Sequence, residues 1–282
     1  MKKALLLATL FATATAFAQE DTAKAPTFGW KHGLLAGLTL TQAAFTDWAA
    51  GGQNSLAYVA SLDGKSTDDQ EKTNWSNTYK FAFGHARISG TGLRKTEDRI
   101  DLESILTYKM GTYINPYAGA TFKTQFAKGF VYDALGNETA VSQFFDPAYL
   151  TQSVGAGYQP APEIKTRLGV ALREVITSDF PVYADDPATL GIEKTLVQIG
   201  MESVTDAEWK LEENLVLTSK LELFSPFEQF DRVIIRNDNT IAARISEYIT
   251  AKLNVQLIND WRATARTQVK ETIAFGITYT LL

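Results

Sequence analysis

The stretch RIDLESILTYKM, Arg99 to Met110, sorts its side chains by parity. Ile100, Leu102, Ser104, Leu106, Tyr108 and Met110 fall on one parity; Arg99, Asp101, Glu103, Thr107 and Lys109 fall on the other, with Ile105. A helix would spread those charges around its circumference, whereas a strand sends alternate side chains to opposite faces. The segment reads as a strand with one apolar and one ionic face.

The same period of two recurs along the chain. Trp75, Tyr79, Phe81 and Phe83 oppose Asn74, Ser76, Thr78 and Lys80, and Ile164, Leu168, Val170 and Leu172 oppose Lys165, Arg167 and Arg173. Leu215, Leu217, Leu221 and Leu223 oppose Thr218, Lys220 and Glu222. Ile249 to Leu257 and Ile273 to Leu281 repeat the pattern. Weaker strands are expected near 30–43, 53–63, 113–127, 147–159, 194–204 and 231–244, for about twelve in all. The connections read alternately longer (near 44–52, 87–96, 128–146, 175–193, 225–230 and 261–266) and shorter (near 64–71, 111–112, 160–163, 205–207 and 245–247). Outer-membrane barrels have an even strand number, long extracellular loops and short periplasmic turns.

The start of the chain reads differently. Lys2 and Lys3, the apolar run Ala4 to Ala12, and Ala16-Phe17-Ala18 before Gln19 follow the order of a cleavable secretory signal peptide. The expected organisation is a signal peptide over 1–18, a short periplasmic segment over 19–29 and a barrel over 30–282. There is no cysteine, so neither a disulfide framework nor a lipid-modified cysteine is expected despite export. No later apolar run approaches the roughly 20 residues of a spanning helix. A membrane protein built only from strands must close its sheet, because lipid satisfies no open edge. The fold expected is therefore all-β: a closed antiparallel transmembrane β-barrel in the outer membrane of a Gram-negative-type bacterium.

In such a barrel the apolar face meets lipid and the polar face lines the lumen. Lumen-lining charges are expected at Lys80, Arg99, Asp101, Glu103, Lys109, Lys123, Lys165, Arg167, Arg173, Glu202, Lys220, Glu222, Arg244, Lys252 and Lys270. Gly37, Gly84, Gly119, Gly155, Gly169, Gly200 and Gly276 share that face. The outward face is nearly free of charge, and its exceptions, His85, Glu174 and Glu271, fall near expected extracellular ends. Trp30, Trp75, Tyr108, Tyr158 and Tyr279 suit an aromatic girdle. The C-terminal run Gly276 to Leu282 resembles the signal read by the barrel assembly machinery, with a final Leu where Phe is usual.

Four segments carry a family resemblance: Phe45-Thr46-Asp47-Trp48-Ala49-Ala50-Gly51-Gly52-Gln53, Arg94-Lys95-Thr96-Glu97-Asp98, Phe122-Lys123-Thr124-Gln125-Phe126, and Phe144-Phe145-Asp146-Pro147-Ala148-Tyr149-Leu150. They resemble an exported family of Bacteroidetes and Chlorobi known as a domain of unknown function, three-zero-seven-eight. The resemblance implies an outer-membrane location and carries over no activity. Trp48, Gly51 and Gly52 are expected to form a tight loop with the tryptophan over the rim.

No catalytic constellation stands out. A lipid-facing hydrolase needs a serine within hydrogen-bond reach of a histidine, and His85 has Arg87 two positions on, with Ser89 where the strand should end. Asp185 and Asp186, with Asp179, offer hard-cation ligands in a loop without a histidine partner. No cofactor is expected. A net charge of −5 argues against a nucleic-acid partner. The expected partners are outer-membrane lipid, the assembly machinery during biogenesis and a small solute. The eleven basic against four acidic residues assigned to the lumen lean toward anions. The leading expectation is thus a narrow channel or binder for small anionic solutes. The alternatives are a non-conducting structural or partner-binding barrel, a lipid-modifying enzyme, or a soluble exported β-protein.

Overall fold

A computed structural model describes residues 28–44, 53–90, 92–262 and 264–281. The expected signal peptide, and Trp48, Gly51 and Gly52, lie outside the described residues. The strands are β1 Gly29–Ala43, β2 Ser55–Asp69, β3 Thr73–Ile88, β4 Leu93–Tyr108, β5 Ile114–Thr124, β6 Gly129–Tyr132, β7 Glu138–Ser142, β8 Ala148–Ala161, β9 Ile164–Ile176, β10 Thr195–Glu212, β11 Leu215–Pro226, β12 Ile234–Arg244, β13 Ile249–Asn259 and β14 Gln268–Thr280. Twelve of them form one closed barrel in chain order, with β14 returning to β1. Strands β6 and β7 form a separate hairpin inserted between β5 and β8.

Exposure settles which face is outside. Leu106, Leu168, Phe275 and Ile273 are 46%, 53%, 64% and 73% exposed, whereas Arg173 and Glu202 are 6% and 9%. A water-soluble barrel would invert this order, so the apolar belt meets lipid. The register keeps each row on its side. Asp63 pairs with Lys80, Lys80 with Asp101 and Asp101 with Lys123 across β2 to β5. On the far wall Lys165 pairs with Asp206, Asp206 with Lys220 and Lys220 with Asp238. Opposite charges directly across a ladder attract, while a one-residue slip would turn the whole row into lipid. Aromatic side chains gather at the short-turn end. The Trp30 and Trp75 rings stand 5.7 Å apart, and Tyr248 stacks on Tyr279 at 6.4 Å.

Three expected turns are displaced. The one placed at 205–207 is strand: β10 continues to Glu212, because Asp206 is an inner-face partner of Lys165 and Lys220 rather than a turn residue. The one near 64–71 shrinks to 70–72, since Gly64 is a strand position against the Tyr79 ring. The long connection expected at 87–96 is only 89–92, an exception to the sorting of connections by length. The loop expected at 128–146 holds the β6–β7 hairpin.

Charge on the outer belt has a definite cost. Leu253, outward near the middle of β13, is flanked by the inward Lys252. Leu253→Arg is expected to lower the free energy of unfolding from lipid vesicles by about 2–4 kcal/mol. Urea titration of heat-modifiable gel mobility measures it, and an unchanged midpoint would place β13 away from the bilayer.

Candidate functional site: the lumen and the loops above it

The inner face is crossed by ion pairs that join distant strands. Arg99 Nη2 on β4 donates to Asp238 Oδ2 on β12 at 3.0 Å. These strands lie six places apart in either direction around the barrel, so the bond spans its diameter. Glu103 on β4 accepts from Arg167 Nη2 of β9 at 2.6 Å and from Lys220 Nζ of β11 at 2.7 Å. Lys123 of β5 bonds Glu222 of β11. Lys270 of β14 donates to Glu97 Oε2 of β4 at 2.6 Å. Buried charges must be paired to be tolerated, and these partners are supplied from across the lumen as well as along the wall.

Toward the long-loop end lies a second layer. Arg173 donates through Nη1 to Gln198 Oε1 at 2.8 Å and through Nη2 to Asp260 Oδ2 at 2.9 Å. Its guanidinium and that of Arg236 lie 5.5 and 4.9 Å from the centre of the Tyr149 ring. Between the layers remains a cavity of about 50 Å³, lined among others by Lys123, Tyr149, Arg173, Glu202, Glu222 and Arg236. That space suits a water or two rather than an organic solute.

Most of the expected lumen charges meet here, with differences in detail. Lys109 sits past the end of β4 and donates to Asp69 Oδ1 at 2.7 Å, so it belongs to the barrel mouth. Arg244, the last residue of β12, is also an exposed mouth residue. Lys252 faces inward between Ala242 and Ala274. Sequence reasoning missed Asp63, Glu97, Asp206, Asp238, Arg236 and Asp260. The signal for Asp63, Asp206 and Asp238 was in the parity: each is the register partner of a base already assigned to the lumen. Their presence shrinks the expected basic surplus.

Above the lumen three of the four motif segments meet one another; Phe45 to Gly52 lie outside the described residues. Asp98 accepts the backbone N–H groups of Phe126 and Ala127 at 2.6 and 3.0 Å, while Lys95 donates to Asp98 and to the Ala127 carbonyl. Thr124 Oγ1 accepts from Phe145 N and donates to the Pro147 carbonyl, both at 3.1 Å. Gln125 Nε2 donates to the carbonyls of Gln143 and Asp146. Asp146, 1% exposed, takes the N–H groups of Asp179 and Phe180 at 2.6 and 3.2 Å, which fastens the 177–194 connection to the 125–147 one. Tyr183 donates to the Val141 carbonyl at 3.1 Å, and burial pushes its phenol up. At the tip of the hairpin, the Asn137 amide holds the Asp133 carboxyl below its ordinary range.

Asp146→Ala removes the carboxyl acceptor of two part-buried backbone N–H groups, a loss of about 2 kcal/mol of loop stability. Protease nicking within 177–194 should then accelerate about tenfold or more while the barrel keeps its heat-modifiable mobility. Unchanged nicking would mean that Asp146 does not hold the loops.

His85 faces outward, and its Nδ1 lies 3.2 Å from Tyr58 Oη. A histidine–serine contact forms instead at His32, whose Nδ1 is 2.9 Å from Ser66 Oγ at the short-turn end. Its ring stacks on Trp30, and no group orienting the second ring nitrogen is seen among the described residues. The loop acids are engaged in loop bonds: Asp179 Oδ2 accepts from Gln143, Asp185 Oδ1 from Glu193 N, and Asp186 Oδ1 from Ala188 N. Among the described residues no three His, Cys, Asp or Glu converge as metal ligands.

Residues 40–130 match the model of a family described as "Protein of unknown function (DUF3078)", the family the motif segments resemble. No curated protein matches the chain. Among solved structures, the translocator domain of the autotransporter NalP from Neisseria meningitidis is 10% identical, with 91% of this chain and 90% of that one covered and a TM-score of 0.38. An outer membrane channel from Pseudomonas putida F1 is 10% identical over 91% of this chain and 96% of that one, at 0.40. The NanC porin is 10% identical over 87% and 97%, at 0.38. The closed sheet, lipid-facing apolar belt, aromatic end and ionic lumen make the chain an outer-membrane β-barrel of the Gram-negative type.

Proposed function

We propose that this barrel is a narrow conduit for small polar solutes, held shut at rest by the ion pairs that cross its middle. The carrying observation is the Arg99–Asp238 bond from wall to wall, beside the Glu103 carboxylate shared by Arg167 and Lys220. These bonds are made by side chains alone, so opening needs rotamer changes and no refolding of the wall. On the periplasmic side of the layer, Asp63, Lys65 and Lys80 stand among Leu34, Leu35 and Tyr79 around an open space of about 440 Å³ beside β1 to β3. With acids and bases alternating along the wall, the intact conduit selects by size more than by sign.

The test is current through single proteins in planar bilayers. A mostly silent trace with brief, ion-sized openings supports the reading. A large, steady conductance would overturn the closed state, and silence that persists after the crossing pairs are removed would overturn the conduit itself.

A second reading has its own observation in favour. The two long connections are braced through Asp146, Gln143 and Tyr183 into one rigid surface. A non-conducting barrel that presents this surface to a partner would use that rigidity. Loop deletion should then abolish partner capture and leave membrane insertion intact. Lipid is the surrounding medium on either reading, and handling by the assembly machinery through the C-terminal strand belongs to this proposal. Cleavage after Ala18, which would put 19–29 in the periplasm ahead of the barrel, also belongs here.

A further inference from the structure

The middle of β12 breaks the apolar pattern of the outer belt. Between the outward Ile235 and Ile241 stand Asn237 and Asn239, with Ser219 of β11 across the ladder from Asn239. These positions occupy the centre of an 11-residue strand, the depth at which a polar group in lipid is most costly. The cost is only partly relieved within the chain. Ser219 Oγ donates to Asn239 Oδ1 at 2.7 Å, Asn239 Nδ2 donates to Asn237 Oδ1, and Asn237 Nδ2 is a long 3.4 Å from the Lys220 carbonyl. An amide carries two N–H donors, so one on each asparagine has no protein acceptor among the described residues.

We propose that this face of β12 is where a second copy of the chain docks in the plane of the membrane. Copies inserted by one route share one orientation, so a twofold axis relating them runs along the membrane normal. Each side chain near that axis then meets its own counterpart at equal depth. A residue in that place must complement itself. Carboxylates and ammonium groups repel their own kind, whereas an amide is both donor and acceptor and pairs with another amide. Asn237 and Asn239 meet this requirement. Ile235 and Ile241 frame them with side chains that pack and exclude lipid.

The test uses the absence of native cysteine. Ile241→Cys is oxidised in the full chain within native membranes and compared with Leu106→Cys, outward on β4 at the opposite side of the barrel. The expected result is a disulfide dimer at Ile241→Cys about tenfold more abundant than at Leu106→Cys. Adding Asn237→Leu with Asn239→Leu should cut that dimer about tenfold, with folding checked by heat-modifiable mobility. Asn237→Gln with Asn239→Gln, which keeps the amides, should restore much of it. Equal dimer at both cysteines, an adduct of another mass, no adduct, or a dimer indifferent to the leucines would each overturn the proposal.

Discussion

Glu103→Gln combined with Asp238→Asn is expected to convert nearly silent bilayer traces into sustained current, with open probability rising about tenfold or more. Glu103 makes the shortest ion pairs of both Arg167 and Lys220, with Asp206 a more distant second partner of each, and Asp238 receives Arg99 from the facing wall. Removing one member of a buried pair typically costs about 3–5 kcal/mol, because the other charge is left unpaired. Here the stranded bases can relieve that cost by swinging along the lumen toward water, which opens the layer. The direction of selectivity follows from what remains. Arg99 would keep only Asp101, and Arg167 and Lys220 only longer contacts to Asp206 and Glu222, so positive charge would be in surplus and the opened variant should prefer anions. The converse pair, Arg99→Met with Lys220→Met, leaves the acids and should prefer cations. Reversal potentials under a salt gradient read the sign directly. Equal currents in wild type and both variants would remove the layer from any role in conduction.

The second large effect concerns the wall. Gly155 of β8 and Gly169 of β9 are register partners on the inner face. A Cβ on Gly155 would stand 2.1 Å from the Leu168 carbonyl oxygen and 2.5 Å from the Gly169 Cα. A Cβ on Gly169 would meet the Val154 oxygen at 2.3 Å. Backbone, unlike a side-chain tip, cannot swing aside, so a substitution must spread β8 from β9. Gly169→Val is expected to cost about 3 kcal/mol or more, and Gly155→Val with Gly169→Val to leave no folded band in the outer-membrane fraction. A heat-modifiable double variant at wild-type abundance would contradict the tight packing of these strands.

The barrel was legible because lipid imposes a strict rule on each strand. The run Arg99 to Tyr108 could sit only one way, and the closed sheet with its twelve wall strands follows from many such runs. Turns were less legible where a polar inner face imitates a turn. Ser203-Val204-Thr205-Asp206 reads as a strand end until Asp206 is seen between Lys165 and Lys220. The bases of the lumen were recognised along their own strands, but several of their partners come from distant strands. Parity gives the side a residue faces and not the partner it meets, so Arg99 with Asp238 could not be paired from sequence. The rim residues Asp98, Thr124, Gln125 and Asp146 were quoted as motif residues without a role. Their role is to tie loop backbone, and that depends on contacts between segments distant in sequence.

The most direct measurement is a scan of single cysteines from Arg99 to Thr107, each carrying an environment-sensitive fluorophore, in vesicles of brominated lipid. The chain has no cysteine of its own to confuse the signal. Labels at Leu102, Ser104 and Leu106 should be strongly quenched, and labels at Arg99, Asp101, Glu103, Ile105 and Thr107 should be spared. Quenching at the odd positions instead, or none at either, would contradict a barrel with its ionic rows enclosed and its apolar belt in lipid.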